Sequence, residues 1–179
     1  GNLATSYRDL GRPGEAVPLE RRALALTEQA FGPDHPQVAI WLGNLATSLY
    51  ALGRIADAVP LEQRALAITE QAYGPDHPDM AIRLGNLATS YRDLGRPGEA
   101  VPLERRALAI AEQAFGPDHP QVAICLGNLA ASLYALGRMA DAVRHCRRAV
   151  AVAEKSLPAD HPTTITLRGF LTQLLTEAN

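Results

Sequence analysis

The sequence repeats itself every 42 residues along its length. Leu-Gly-Arg begins at residues 10, 52, 94 and 136, and Gly-Asn-Leu-Ala begins at 1, 43, 85 and 127. Gly-Pro-Asp-His-Pro spans 32–36, 74–78 and 116–120, and a looser fourth copy lies at 157–162. A fixed period of this length indicates a solenoid, because each repeat buries its apolar face only by stacking on its neighbours. The chain is therefore expected to be a linear array of repeats.

A second period of 84 residues is superimposed on the first. Residues 1–42 and 85–126 differ at three positions, which are Leu26/Ile110, Thr27/Ala111 and Trp41/Cys125. Repeats two and four share a variant of their own, in which Tyr-Ala-Leu-Gly-Arg begins at 50 and at 134. This pattern indicates a duplicated unit of two repeats, so the surface is expected to alternate along the array.

The apolar residues within each repeat predict two helices. Residues 37–52 predict a helix A with apolar residues at spacings of three and four, namely Val38, Leu42, Leu45, Leu49 and Leu52. After the Leu-Gly-Arg turn, residues 56–73 predict a helix B by a similar pattern. Nine helices are expected in all, the first partial and the last a C-terminal cap over 163–177.

Gly and Pro are expected mainly at the ends and starts of these helices. Gly32 and its equivalents Gly74 and Gly116 are expected to end helix B with a positive φ, and the last Pro of the loop begins the next helix A. Asp34 or His35 is expected to cap a neighbouring helix end. Pro18, Pro60 and Pro102 are expected near the first turn of helix B, where proline is tolerated.

Composition excludes several classes of function. The net charge of −2 argues against a nucleic-acid binder that relies on a basic field, and no apolar run approaches the roughly 18 residues of a membrane span. Cys125 and Cys146 cannot form a disulfide framework and are expected to be free thiols. No signal peptide is visible, so a cytoplasmic location is expected.

The sequence offers no set of residues for catalysis or for binding a cofactor. It lacks a nucleophile–base pair, a phosphate-binding loop and paired carboxylates. The four repeat histidines could be metal ligands, but two helix layers, roughly 16–20 Å, would separate equivalent residues of stacked repeats. A structural role is favoured for His35, His77, His119 and His161. We expect no enzyme activity, no cofactor and no metal.

The repeat pattern Asn-Leu-Ala-x-x-Leu-Tyr-x-Leu-Gly-Arg, followed by helix B and Gly-Pro-Asp-His-Pro, resembles the 42-residue tetratricopeptide repeat of kinesin light chains. The resemblance covers essentially the whole chain. It implies an all-α fold, a right-handed superhelical α-solenoid of antiparallel helix pairs. The repeats would span about 1–36, 37–78, 79–120 and 121–162, with the capping helix at 163–177, in one domain over 1–179. The near-identity of the copies favours a bacterial multidomain protein as the source.

The resemblance also implies a concave groove, lined by the A helices, that binds a peptide or protein segment. One departure concerns the groove itself, since Gly-Asn stands where kinesin light chains tend to have Asn-Asn. The asparagines could instead tie helix A to its neighbour, and the Arg-Asp pairs could be a solvated charged face. The candidate groove residues are Asn44, Thr47, Tyr50, Asn86, Thr89, Arg92, Asp93, Asn128 and Tyr134.

The expected function is that of a protein–protein interaction scaffold whose partner is an unidentified protein or peptide, with no nucleic acid and no membrane. The alternative is a self-assembly element. In that case the open N-terminal repeat would stack on another copy and give a homo-oligomer, because a partial first helix leaves apolar surface uncovered.

Overall fold

The computed structural model describes residues 2–178, which form nine α-helices and no β-strand. Gly1 and Asn179, the ends of the predicted domain, lie outside the described residues. The odd-numbered helices are the A helices and the even-numbered ones the B helices. Their bounds are α1 Asn2–Asp9, α2 Pro13–Phe31, α3 Pro36–Ala51, α4 Ile55–Tyr73, α5 Pro78–Asp93, α6 Pro97–Phe115, α7 Pro120–Ala135, α8 Met139–Ser156 and α9 Pro162–Glu177.

Small residues at the helix contacts let the layers approach closely. Each helix packs on the next one in the chain, and α5 also contacts α7, the A helix of the following repeat. At one repeat-equivalent position every B helix has a fully buried alanine, and at another equivalent position three A helices do. Leucine fills the space between them, since Leu42, Leu84 and Leu126 are fully buried at equivalent positions. The alanines are Ala16, Ala58, Ala100 and Ala142 on the B helices and Ala46, Ala88 and Ala130 on the A helices.

Glycine ends three of the B helices, α2, α4 and α6, as predicted, whereas Leu157 follows α8. Gly74 follows α4 with φ 89° and ψ 166°, a region of backbone conformation that is essentially restricted to glycine. Its N–H donates to the Glu70 carbonyl, which satisfies one of the last orphan groups of the helix. Gly32 and Gly116 have similar angles at the ends of α2 and α6.

Histidine, rather than aspartate, caps the A helices. The Nδ1 atom of His77 accepts a hydrogen bond from the Asp79 N–H at 3.2 Å, and the other three repeat histidines do the same to the residue two positions on. The imidazole of His119 also stacks on Phe115 with ring centroids 4.6 Å apart. His35 and His77 stack in the same way on Phe31 and Tyr73, so these three histidines join the end of a B helix to the start of the next A helix.

The prolines of helix B lie deeper in the helix than the sequence suggests. Pro18, Pro60 and Pro102 are the sixth residues of α2, α4 and α6, so the predicted position near the first turn is wrong. They fall in the second turn, where a missing N–H removes a helical hydrogen bond. All three are exposed, so water can solvate the freed carbonyl four residues earlier.

Arginine and glutamate link successive B helices on their exposed side. Arg64 pairs with Glu28 of the preceding repeat at 2.5 Å, and Arg106 pairs with Glu70 at 2.6 Å. Arg148 continues the series with Glu112. These arginines are compensated by carboxylates, so they do not form a continuous basic surface of the kind that nucleic acid requires.

The first helix pair leaves apolar side chains exposed that the third pair buries. Leu26 of α2 is 57% exposed, whereas Ile110, at the equivalent position of α6, is 3% exposed. Leu3 is 59% exposed, whereas its equivalent Leu87 is 3% exposed. Leu3 and Leu87 are the same residue, and Leu26 and Ile110 are of equal size, so the difference in exposure comes from the neighbouring helices that cover α5 and α6.

The histidine caps generate a prediction about stability. Replacing His119 with Ala removes a cap, about 1 kcal/mol, and an aromatic stack, about 0.5–1.5 kcal/mol. We expect the melting temperature to fall by about 2–4 °C for each kcal/mol lost, measured by circular dichroism. His119→Asn retains a capping side chain and should give an intermediate value. Melting of His119→Ala at the temperature of the unaltered protein would contradict the capping role.

Candidate functional site

One face of the A helices carries exposed apolar and amide side chains in register. Ile40, Ile82 and Ile124 recur every 42 residues and are all exposed. Cavities open between successive A helices on this face, about 250 Å³ between α5 and α7 and about 580 Å³ between α7 and α9. The second cavity is lined mainly by apolar and small residues, among them Ala131, Leu167 and Phe170.

Asn86 and Asn128 line these cavities, Asn44 lines another cavity between α3 and α5, and the three asparagines differ in their bonding. Asn44 accepts hydrogen bonds from Arg8 Nη1, at its backbone oxygen over 3.2 Å and at Oδ1 over 3.4 Å. The side-chain amides of Asn86 and Asn128 bond to no other described residue. Asn44 therefore ties its helix to the neighbouring one, whereas Asn86 and Asn128 hold unused donors and acceptors beside open space.

The candidate tyrosines join successive repeats. The Tyr50 hydroxyl donates to the Asp93 carboxylate of the next repeat, and Tyr134 donates to Glu177 over 2.6 Å. The pKa of Tyr50 is raised, mainly because its proton is held by Asp93. The alternation of Tyr-Ala with Arg-Asp thus places a donor opposite an acceptor between the second and third repeats.

The threonines and Arg92 complete the candidate set. Thr47 donates to the Gly43 carbonyl within its own helix over 2.9 Å, and Thr89 lines the same cavity as Thr47 and Tyr50. Arg92 lies 3.4 Å from a carboxylate oxygen of Asp93 and 3.4 Å from one of Glu104. The structure therefore brings Thr47, Tyr50 and Thr89 together around one cavity.

Three glutamates on the inner side of the B helices form a column that sequence reasoning missed. Glu20, Glu62 and Glu104 are 1%, 8% and 1% exposed. Each faces a buried serine of the next A helix, and Ser132 donates to Glu104 Oε1 over 2.8 Å. The signal was present in the sequence, because Glu62 lies four residues after Ala58 and three before Ala65, on the apolar stripe of helix B.

Burial raises the pKa of all three carboxyl groups. For Glu104 the pKa rises to about 7, since desolvation outweighs the opposing effects of the Ser132 hydroxyl and of Arg92. Glu20 follows the same order of causes, with Ser48 and Arg8 in the opposing roles. In the fourth repeat the column changes in character, because buried Cys146 and Leu174 take the positions of the glutamate and the serine.

The glycine before the asparagine makes room for a side chain of the following A helix at Gly43 and Gly127, whereas a Cβ at Gly85 would meet only Asn128 Nδ2 at 3.9 Å. A Cβ at Gly127 would lie 2.6 Å from Leu167 Cδ2, and a Cβ at Gly43 would collide with the Arg83 guanidinium. Arg83 is half-buried there, and desolvation lowers its pKa. The departure from Asn-Asn that the sequence shows therefore has a packing reason at these two positions.

The cysteines are both buried. Burial raises the pKa of the Cys125 thiol and of the Cys146 thiol to about 11, so both are protonated and unreactive near neutral pH. Within residues 2–178, no group of three or more His, Cys, Asp or Glu side chains is arranged to hold a metal ion.

Comparison with known proteins follows the repeat pattern. The tetratricopeptide repeat family model matches residues 1–71, 63–113, 105–155 and 126–179. The chain belongs to the tetratricopeptide repeat (TPR) family. No match was found among curated proteins.

Solved TPR structures superpose on nearly the whole chain. A kinesin light chain-like protein from Podosopora anserina with nearly identical TPR-like repeats is 27% identical, with a TM-score of 0.83 over 98% of this chain and 83% of that one. A substituted variant of the same protein gives 27% identity and a TM-score of 0.84 over 98% and 82%. BtubC (BKLC) from P. vanneervenii shares the fold at 23% identity, with a TM-score of 0.81 over 97% and 70%.

These likenesses confirm the predicted fold class, a right-handed superhelical α-solenoid of antiparallel helix pairs. TPR arrays are generally protein-interaction scaffolds, and the present TPR chain has that fold. The expected absence of enzyme activity stays a prediction. None of the helices between residues 2 and 178 is both long and apolar enough to span a membrane. The bacterial origin and the cytoplasmic location stay predictions.

The buried carboxylate of the third TPR unit generates a prediction about pH. The pKa of Glu104 is about 7 in the folded chain, against 4.5 for an ordinary exposed glutamate. Between pH 4.5 and pH 7 the folded chain therefore binds more protons than the unfolded chain. The free energy of unfolding should therefore decrease as pH rises from about 4.5 to 7, by on the order of 3 kcal/mol for this group.

Glu104→Gln keeps the shape of the side chain and removes its charge. In urea-denaturation experiments at pH 4.5 and pH 8, we expect the free energy of unfolding of this variant to fall much less with rising pH than that of the unaltered protein. Glu99→Gln, at an exposed position of the same helix, is the control and should follow the unaltered protein. Equal pH dependence in Glu104→Gln and the unaltered protein would contradict this prediction.

Proposed function

We propose that the chain binds an extended or helical peptide segment along the exposed face of α3, α5 and α7. The observation that carries this proposal is the pair of unused side-chain amides, Asn86 and Asn128, which stand in register beside exposed Ile82 and Ile124. Amides of this kind can donate to and accept from the backbone of a bound peptide, while the isoleucines cover its apolar side chains.

The candidate tyrosines and the Arg-Asp pair are already bonded to residues of the chain, so we assign them a positioning role and not direct contact with the peptide. Tyr50, Asp93 and Tyr134 hold successive repeats in register through their hydrogen bonds, so they set the spacing of the amides. Arg92 is held by Asp93 and Glu104. We assign direct peptide contacts to Asn86, Asn128, Thr89 and the isoleucines, and positioning to the tyrosines and the Arg-Asp pair.

A peptide selection tests this proposal. Twelve-residue peptides selected from a phage-displayed random library should bind the chain, and the double variant Asn86→Ala/Asn128→Ala should bind them about tenfold or more weakly, at about 1 kcal/mol per lost hydrogen bond. Gln71→Ala/Gln113→Ala, which removes two exposed amides from α4 and α6, is the matched control. Equal binding by the two double variants, measured by isothermal titration calorimetry, would refute the groove.

A second candidate function is association of chains through the face of α1 and α2. The observation that favours it is the exposure of Leu3, Leu10, Leu26 and Phe31 on these two helices, where the equivalent residues of the third repeat are less exposed. Apolar patches that a neighbouring repeat can cover are surfaces for stacking by a second copy.

Light scattering over a concentration series tests the association. We expect the mass to rise above that of a monomer as the concentration increases, and Leu26→Glu to remove this rise by placing a charge in the contact. Ile82→Glu, at a similarly exposed position of α5, is the control and should associate normally. A monomer at every concentration would exclude this candidate for the present chain.

A further inference from the structure

The buried carboxylates of the three glutamate-bearing repeats are not equally compensated. Arg8 lies 3.3 Å from Glu20, and Arg92 lies 3.4 Å from Glu104. In the second repeat the position equivalent to these arginines is occupied by Tyr50. Among the ion pairs of residues 2–178, none includes Glu62. The 84-residue alternation thus leaves one buried carboxylate of the column without a cation.

Glu62 also lines a cavity on the face proposed to bind peptides. The cavity has a volume of about 130 Å³ and lies between α3 and α5. The Glu62 side chain is 8% exposed, and its Oε2 atom accepts no hydrogen bond from the described part of the chain. The other residues that line the cavity are polar or aromatic, namely Thr47, Tyr50, Asn86 and Thr89.

We propose that this cavity binds a cationic side chain, Lys or Arg, of the peptide that occupies the groove. The proposal rests on the peptide-binding function above and specifies the chemistry of one residue of the ligand. A buried carboxylate oxygen without a hydrogen-bonding partner is costly, and a charge-assisted hydrogen bond from an ammonium or guanidinium group satisfies it. The ligand would supply to Glu62 the positive charge that Arg8 and Arg92 supply to the other two glutamates.

The surrounding residues suit a cation. The hydroxyl groups of Thr47 and Thr89 and the Asn86 carbonyl are acceptors that can receive the remaining N–H groups of the ligand. Burial raises the pKa of the Glu62 carboxyl, with Ser90 opposing the rise, and a cation bound beside it would lower that pKa again. Tyr50 brings no charge of its own, and its proton is already held by Asp93.

In the other repeats of the chain the equivalent carboxylate either has an arginine beside it or is replaced, although Glu104 also lines a cavity, of about 250 Å³. In the first and third repeats the intramolecular arginine stands beside the glutamate. In the fourth repeat Cys146 replaces the glutamate, and its thiol contacts the Leu167 carbonyl over 3.7 Å. One cation-binding cavity is therefore expected in this array, at Glu62.

Peptides selected from the random library described above test the inference. We expect them to share one Lys or Arg at a fixed position, and replacement of that residue by Ala to weaken binding at least tenfold. The preference should disappear in Glu62→Gln, which preserves size and removes the charge. Glu104→Gln changes an equally buried carboxylate that already has an arginine beside it, and should keep the preference.

The repeats also supply reciprocal variants. Tyr50→Arg installs the arrangement of the third repeat in the second and should abolish the preference for a cation by satisfying Glu62 internally. Arg92→Tyr installs the opposite arrangement and should create a second preferred cationic position in newly selected peptides. Melting curves of each variant establish that the array remains folded, so a lost preference reports the site and not unfolding.

The possible outcomes separate this inference from the function on which it rests. Peptides that depend on Asn86 and Asn128 but show no fixed Lys or Arg overturn the cation site and leave the groove intact. A fixed cation that is retained in Glu62→Gln also overturns it. Failure to obtain any peptide that depends on the two asparagines overturns the groove, and the cation site with it.

Discussion

The stacking of one repeat on the next is the interaction on which the remainder of the molecule depends. No repeat has a core of its own, because the fully buried alanines and leucines of each helix pair are covered by the neighbouring pair. The step of 42 residues then places equivalent residues in line along the array, so any side chain type that recurs forms a column. The columns of leucine, of capping histidine and of glutamate are all products of this one register.

The glutamate column affects both the stability of the array and the chemistry of its surface. A carboxylate inside a helical stack costs free energy unless a cation or a hydrogen-bond donor compensates it. Arg8 and Arg92 provide that compensation in the odd repeats, and Ser132 adds a hydrogen bond. In the second repeat Tyr50 stands at the position of these arginines, and its hydroxyl donates a hydrogen bond to Asp93 of the next repeat. The same alternation that joins the repeats therefore leaves Glu62 available.

Much of the fold follows from the sequence alone, because helix periodicity and turn residues are local signals. Helix A of the second repeat was expected over 37–52 and is found at Pro36–Ala51, and helix B was expected over 56–73 and is found at Ile55–Tyr73. The bonding of the candidate site could not be obtained in this way. Contacts such as Tyr50 with Asp93 depend on the rotation and rise between repeats, which a period in sequence does not specify. The buried glutamates were missed for a related reason, since charged residues are ordinarily assigned to the surface.

The alternation of paired and unpaired carboxylates has a consequence for arrays of other lengths. The unit that duplicates contains two repeats and includes one arginine position and one tyrosine position. Adding whole units that keep the glutamate would add cation sites at a constant pitch along one groove. Weak individual sites spaced in this way bind a ligand with matching spacing through avidity, since each attachment raises the effective concentration of the next. Selectivity for a long ligand would then be set by the number of units, with no change in any single repeat.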